Sequence, residues 1–126
     1  FLGVSYTDPN TSQKTFSQMW TASVVASDVS AYVMDDPDVL FEMQGDGTGA
    51  QTVIGNNVAV VQTAGSTSIG TSKNAIDIST VAATTATLPI RIVDISSKSD
   101  NAAGDAYTDL VVKFNAGHIM RNTTGI

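Results

Sequence analysis

The feature that most constrains this chain is its bias toward side chains branched at Cβ: 14 Val, 9 Ile and 16 Thr stand against only 4 Leu. Branching at Cβ restricts χ1 in a helix, whereas on a pleated strand the same side chains pack well against their neighbours. Residues that enter helices at little rotamer cost, such as Leu, Glu, Lys and Arg, are correspondingly scarce. The 13 Ser and 10 Gly suit frequent turns. With 42% of residues apolar, the chain can bury a core and is no disordered linker. Its 126 residues are enough for one ordinary core and too few for two. The expectation is an all-β fold: a small single-domain antiparallel β-barrel or β-sandwich with long loops, residues 1–126 forming one β domain with extended N- and C-terminal arms.

Local patterning places the strands. Residues 1–6 read as a strand running into the turn Thr7-Asp8-Pro9-Asn10, where Pro presets φ and the Asp and Asn side chains bond nearby backbone. Residues 15–25 read as a strand or as a loop with buried aromatics, and a short helical turn over 22–31 has Ser27 as its N-cap. Residues 31–34 form a strand stopped by Asp35-Asp36-Pro37. In 38–44 the pattern alternates, Val39, Phe41 and Met43 sharing one face. Residues 57–62 are a strand, 64–74 a polar surface loop and 75–79 an edge strand. The clearest pair is last. In 88–95 the apolar phase set by Leu88, Ile90 and Ile92 shifts at Val93, which predicts a bulge or burial on both faces. In 107–114, Thr108, Leu110, Val112 and Phe114 share a face opposite Asp109 and Lys113. The 96–105 stretch joins the two as a long hairpin connection. Short strands with turns at this spacing fit a sandwich or barrel.

Charge narrows the function. Six Lys and Arg against 12 Asp and Glu give a net charge of −6 and a pI near 4.3. Non-specific nucleic-acid binding draws on cationic contacts to phosphates, and anionic membrane surfaces attract basic segments; this composition disfavours both. The absence of Cys removes disulfides, thiolate nucleophiles and Cys-zinc sites. No apolar run reaches the roughly 20 residues of a spanning helix. The chain starts at Phe1 rather than Met, which leads us to expect residues upstream of it.

Each residue cluster with chemical potential has a plainer reading beside it. Asp35, Asp36 and Asp38 offer hard oxygen ligands for a cation, or a solvated turn ending a strand; the turn is the stronger expectation. Asp46-Gly47-Thr48-Gly49 lacks the spaced ligands and closing Glu of a calcium loop. His118 is the only histidine and Glu42 the only glutamate. No Gly-x-Ser-x-Gly elbow accompanies His118, and nothing selects a second carboxylate to work with Glu42 in glycoside hydrolysis. No Gly-rich phosphate loop precedes a helix. Trp20, Phe16, Tyr32, Phe41, Tyr107 and Phe114 could form a sugar-stacking platform, but a small β domain needs bulky side chains for its core, and most of them are expected there. No catalytic residue, metal site or cofactor is therefore expected.

Beyond these readings, the strings Gly3-Val4-Ser5-Tyr6-Thr7-Asp8, Thr15-Phe16-Ser17 with Trp20, Ala31-Tyr32-Val33-Met34-Asp35-Asp36-Pro37-Asp38 and Phe41-Glu42-Met43-Gln44-Gly45-Asp46 carry a family likeness. So do Ile54-Gly55-Asn56-Asn57, Gly65-Ser66-Thr67, Leu88-Pro89-Ile90-Arg91-Ile92-Val93, the run from Asp100 to Thr108 and Val111-Val112-Lys113-Phe114-Asn115. In this order the chain resembles a family of small tailed-phage virion proteins, found notably in phages of aquatic bacteria and taken as capsid decoration, or cement, proteins. The likeness covers nearly the whole chain and is weakest over 117–126. It implies a non-enzymatic structural protein on the outer surface of the virion capsid, partnered by the major capsid protein and by copies of itself as a trimer or dimer. It also implies a longer start ahead of Gly3. An acidic protein suits the outside of a shell whose inner face meets packed DNA. A bridging protein needs apolar contact area and edges or arms for strand addition. Phe1 and Leu2 at one end and Ile119 and Met120 near the other are the expected capsid contacts, although both ends could equally pair within the domain. A carbohydrate- or cell-surface-binding β module on the virion, using Trp20 and the 64–74 loop, is the alternative.

Overall fold

The computed structural model describes residues 1–20, 23–36, 38–66, 68–82 and 84–115. The fold is all-β, with two antiparallel sheets of three and five strands. The chain divides into two compact units, one comprising Phe1–Asp35 with Gly65–Ser72 and the other Asp36–Ala64 with Lys73–Ile126.

The first unit holds β1 (Gly3–Thr7), β2 (Lys14–Ser17) and β3 (Ser30–Tyr32) in the order β2-β1-β3. The Asp-Pro-Asn turn closes the β1–β2 hairpin as its residues dictate. Asp8 accepts from Asn10 N at 2.8 Å through its side chain and from Ser12 N at 2.8 Å through its carbonyl, and its own N–H donates to Gln13 O at 2.9 Å. The helical turn expected over 22–31 is absent among the described residues. Instead Ser30, Ala31 and Tyr32 pair with Ser5, Val4 and Gly3. Val24, Val25 and Val29 weaken any helix there, and the open edge of β1 offers a ladder in its place. Residues opposite one another share a face. Gly3, Ser5, Thr7, Lys14, Phe16, Ser30 and Tyr32 therefore form one face, and Val4, Tyr6, Thr15, Ser17 and Ala31 the other. Val4 and Tyr6 are buried. Within 65–72, Ser66 and Thr71 form a small antiparallel bridge.

The second unit holds β4 (Phe41–Gln44), a 3-10 turn (Gln51–Val53), β5 (Asn57–Val61), β6 (Ala75–Ala82), β7 (Ile90–Ile95) and β8 (Asp109–Phe114). The strand order is β4-β8-β7-β5-β6. Gly45, just past β4, bridges Ile76 of β6 in parallel, and Asp46 N donates to Ile76 O at 2.9 Å. The two edge strands are thereby tied together, and the sheet closes on itself as a small barrel does. Inside lie Val53, Val58, Ile76, Ile90, Ile92, Leu110 and Val112. The alternation in β8 is as expected: Thr108, Leu110 and Val112 are fully buried. The phase shift in β7 is a bulge between Ile92 and Asp94, which leaves Val93 and Asp94 both exposed.

The aromatic residues depart from expectation. Phe41 and Phe114 meet edge to face at 5.4 Å beside the core. Phe16, Trp20, Tyr32 and Tyr107 are exposed. Branched aliphatic side chains fill the closed sheet, which leaves little room for rings.

Candidate functional site

The residues singled out from sequence do not converge. Asp36 carries a local turn, its Oδ1 accepting from Asp38 N at 2.9 Å and its carbonyl from Val39 N at 3.3 Å. Asp46 Oδ1 accepts from Ile78 N at 2.9 Å, so that carboxylate supports the β4–β6 closure. Among the described residues no group of three or more His, Cys, Asp or Glu is placed to hold a metal ion. Glu42 lies on the exposed face of β4, paired with Lys98, which also reaches Asp109 at 3.1 Å. Hydrogen bonds from Lys98 and then Ser96 hold the Glu42 carboxyl below its ordinary range, and Glu42 and Asp109 in turn push Lys98 up to about 12. That is the opposite of the raised pKa a general acid uses. His118, Ile119 and Met120 lie outside the described residues.

Phe1 and Leu2 are 64% and 54% exposed, and Leu2 N donates to Tyr32 O at 2.7 Å. That bond places the start of the chain beside the end of β3. There the sheet face changes character along its length. At the Thr7 end it is polar and locked: Asp28 accepts from Thr7 N at 2.9 Å, Thr7 Oγ1 at 2.7 Å and Lys14 Nζ at 2.9 Å. The Thr7 backbone N–H, then Lys14 and the Thr7 hydroxyl, hold the Asp28 carboxyl well below the usual carboxylate range.

At the Gly3 end the face is apolar. Phe16 crosses β1 over Gly3, where a Cβ would stand 2.3 Å from the ring tip; only glycine lets the ring lie there. Across Gly3 the Phe16 ring meets Tyr32 at 5.9 Å, the planes inclined by 51°. The Tyr32 hydroxyl lies 3.3 Å from Ser5 Oγ. Phe16 and Tyr32 remain 60% and 48% exposed, and Val33 and Met34, which follow β3, are exposed as well. On the opposite face Trp20 stands edge to face against Tyr6 at 5.3 Å and is 43% exposed.

Near this end of the three-stranded sheet Phe1, Leu2, Phe16, Tyr32, Val33 and Met34 are all exposed, and Phe16 and Tyr32 are in contact with each other on one face. Single exposed apolar residues are ordinary, whereas exposed apolar side chains packed together are a candidate contact surface. The sequence led us to expect exposed arms at Phe1 and Leu2, which are exposed, and to expect most of the six large aromatics in the core, where Phe16 and Tyr32 are not. The signal for their exposure lay in Lys14, which shares the Phe16 side of β2. Compared with family models, curated proteins and solved structures, the chain finds no match.

Proposed function

We propose that this chain is a non-enzymatic virion protein: a capsid decoration, or cement, protein that sits on the outer surface of a phage head and bridges neighbouring capsomers. The supporting observation is the exposed Phe16–Tyr32 pair at one end of the three-stranded sheet, with Phe1, Leu2, Val33 and Met34 also exposed near that end, on a chain whose net charge is −6. Such a surface suits docking on protein and gives little purchase on phosphate or an anionic headgroup. The sequence likeness to phage decoration proteins points the same way. The partners in this reading are the major capsid protein and other copies of the chain, in a trimer or dimer, since closed symmetric assemblies are the rule. Cementing then works by mass action. Each bound copy favours the assembled shell over the dissociated one, and many modest contacts act together.

The alternative of a glycan-binding module draws on the partial exposure of Trp20. A sugar face stacks on a flat ring, and the inclined Phe16 and Tyr32 rings offer no common plane. The deciding experiment strips the protein from heads, adds it back, and follows the temperature at which the heads rupture. We expect stripped heads to rupture at lower temperature and re-decorated heads to recover. Unchanged rupture would remove the cement reading, and glycan-array binding lost on Trp20→Ala would replace it with the alternative.

A further inference from the structure

We propose that the β3 edge takes an extended segment of another protein as a fourth strand, with the segment's apolar side chains lying on Phe16 and Tyr32 and with lysine or arginine at its flanks. The inference rests on the shell-binding reading and names the chemistry of the docked partner. β3 is an edge strand, and Ser30, Ala31 and Tyr32 are all exposed. An edge strand presents N–H and C=O groups that can be laddered, so main-chain bonds supply affinity and alternate side chains supply specificity. A strand laid there has Tyr32 directly beside it and the Phe16 ring one strand further in.

Charge selects among occupants. Just beyond β3 lies Asp35, while Asp28 ahead of it is already paired with Lys14. Lys14, the one lysine or arginine among the described strand residues of this face, is thus neutralised by that contact at 2.9 Å. A second copy docked on this edge would set its own Asp35 and the neighbouring Asp36 near the same charges. Like charges across an interface oppose association, so a base-flanked segment is the complementary partner.

The test uses the full chain and a labelled synthetic peptide of alternating Val and Thr with two Lys at each end, read by fluorescence anisotropy at low and high salt. A control peptide carries Glu in place of Lys. The variants are the Phe16→Ser/Tyr32→Thr double substitution and Asp35→Lys, with circular dichroism checking that each keeps the fold; Asp35→Lys leaves the Phe16–Tyr32 packing over Gly3 intact and so tests the charge requirement separately. The Lys peptide should bind the native chain. The double variant should weaken that binding by about tenfold or more, and Asp35→Lys should weaken it with a shallower salt dependence. The Glu peptide should fail to bind. Equal binding by native chain and double variant, or by both peptides, overturns the proposal. So does a native chain that sediments as a dimer which the double variant abolishes, because a second copy then covers this face. Heads cemented equally well by the double variant would remove this site and leave the cement role standing. Peptide binding with unchanged head stability would do the reverse.

Discussion

At the scale of single residues, Thr108 shows how one buried polar group can hold a fold together. Its side chain is fully buried; Oγ1 donates to Asp105 O at 2.8 Å and accepts from Gly49 N at 2.9 Å. Gly49 is drawn so close that a Cβ there would meet the Thr108 Cβ at 3.0 Å. Thr108→Val keeps the shape and strands a buried N–H and a carbonyl, so we expect a loss of about 1–3 kcal/mol in urea unfolding. Asp28 acts through its charge. Its folded pKa lies below the ordinary 3.8, so the unfolded chain takes up the proton first as pH falls. The stability it contributes is present above about pH 4 and drains away below that, as pH falls through the depressed folded value. Asp28→Asn should therefore lower the melting temperature relative to the native chain at pH 6, and the gap should narrow steadily between pH 4 and pH 2. A gap independent of pH would show that packing, not charge, is what the side chain supplies.

At the scale of elements, the long connection between β7 and β8 is held by an asparagine. Asn101 Nδ2 donates to Ser96 O at 2.7 Å and Asp109 O at 2.9 Å, while Oδ1 accepts from Asp109 N at 2.8 Å. The side chain replaces a stretch of ladder that the loop interrupts. Asn101→Ala should cost about 2 kcal/mol by chemical denaturation and speed proteolysis within 97–107 before the rest of the chain. The strands flanking this loop were legible because each has a buried face and a solvated one: Leu110 and Val112 alternate with Asp109 and Lys113, and the extra residue Val93 announced its own bulge. β3 was legible as a short strand, expected over 31–34 and found at Ser30–Tyr32. Its pairing with the edge of β1 was not, because three exposed residues leave no alternation to read. The closure through Gly45 and Ile76 was equally hidden, since a bridge between residues so far apart leaves no local pattern. The exposed apolar residues of the three-stranded sheet were legible only in part for a related reason. Exposure of Phe1 and Leu2 follows from their place ahead of β1, whereas that of Phe16 and Tyr32 depends on which face of a three-stranded sheet is covered, a property of the assembled sheet.

At the scale of the whole molecule, the two units differ in how much apolar surface they hide. The unit of the five-stranded sheet packs seven buried aliphatic residues into one cluster. Among the described residues of the other unit, Val4 and Tyr6 are the buried apolar ones. Local opening is easiest where few apolar contacts oppose it, and elements that bind partners are commonly drawn from that end of the range. In the free protein, amide exchange should be slowest in β7 and β8 and clearly faster in β1 and β3. If the apolar end of the three-stranded sheet is what meets the shell, decoration should change that ranking selectively. On heads, the amides of Ser30, Ala31 and Tyr32 should slow most, because their edge gains a ladder and their apolar neighbours lose water. The β7 and β8 amides, already closed within their own sheet, should change little. Exchange by mass spectrometry on free and head-bound protein reads both units in one experiment. Protection appearing over β7 and β8 with β3 unaltered would place the contact on the other unit and take the docking role away from Phe16 and Tyr32.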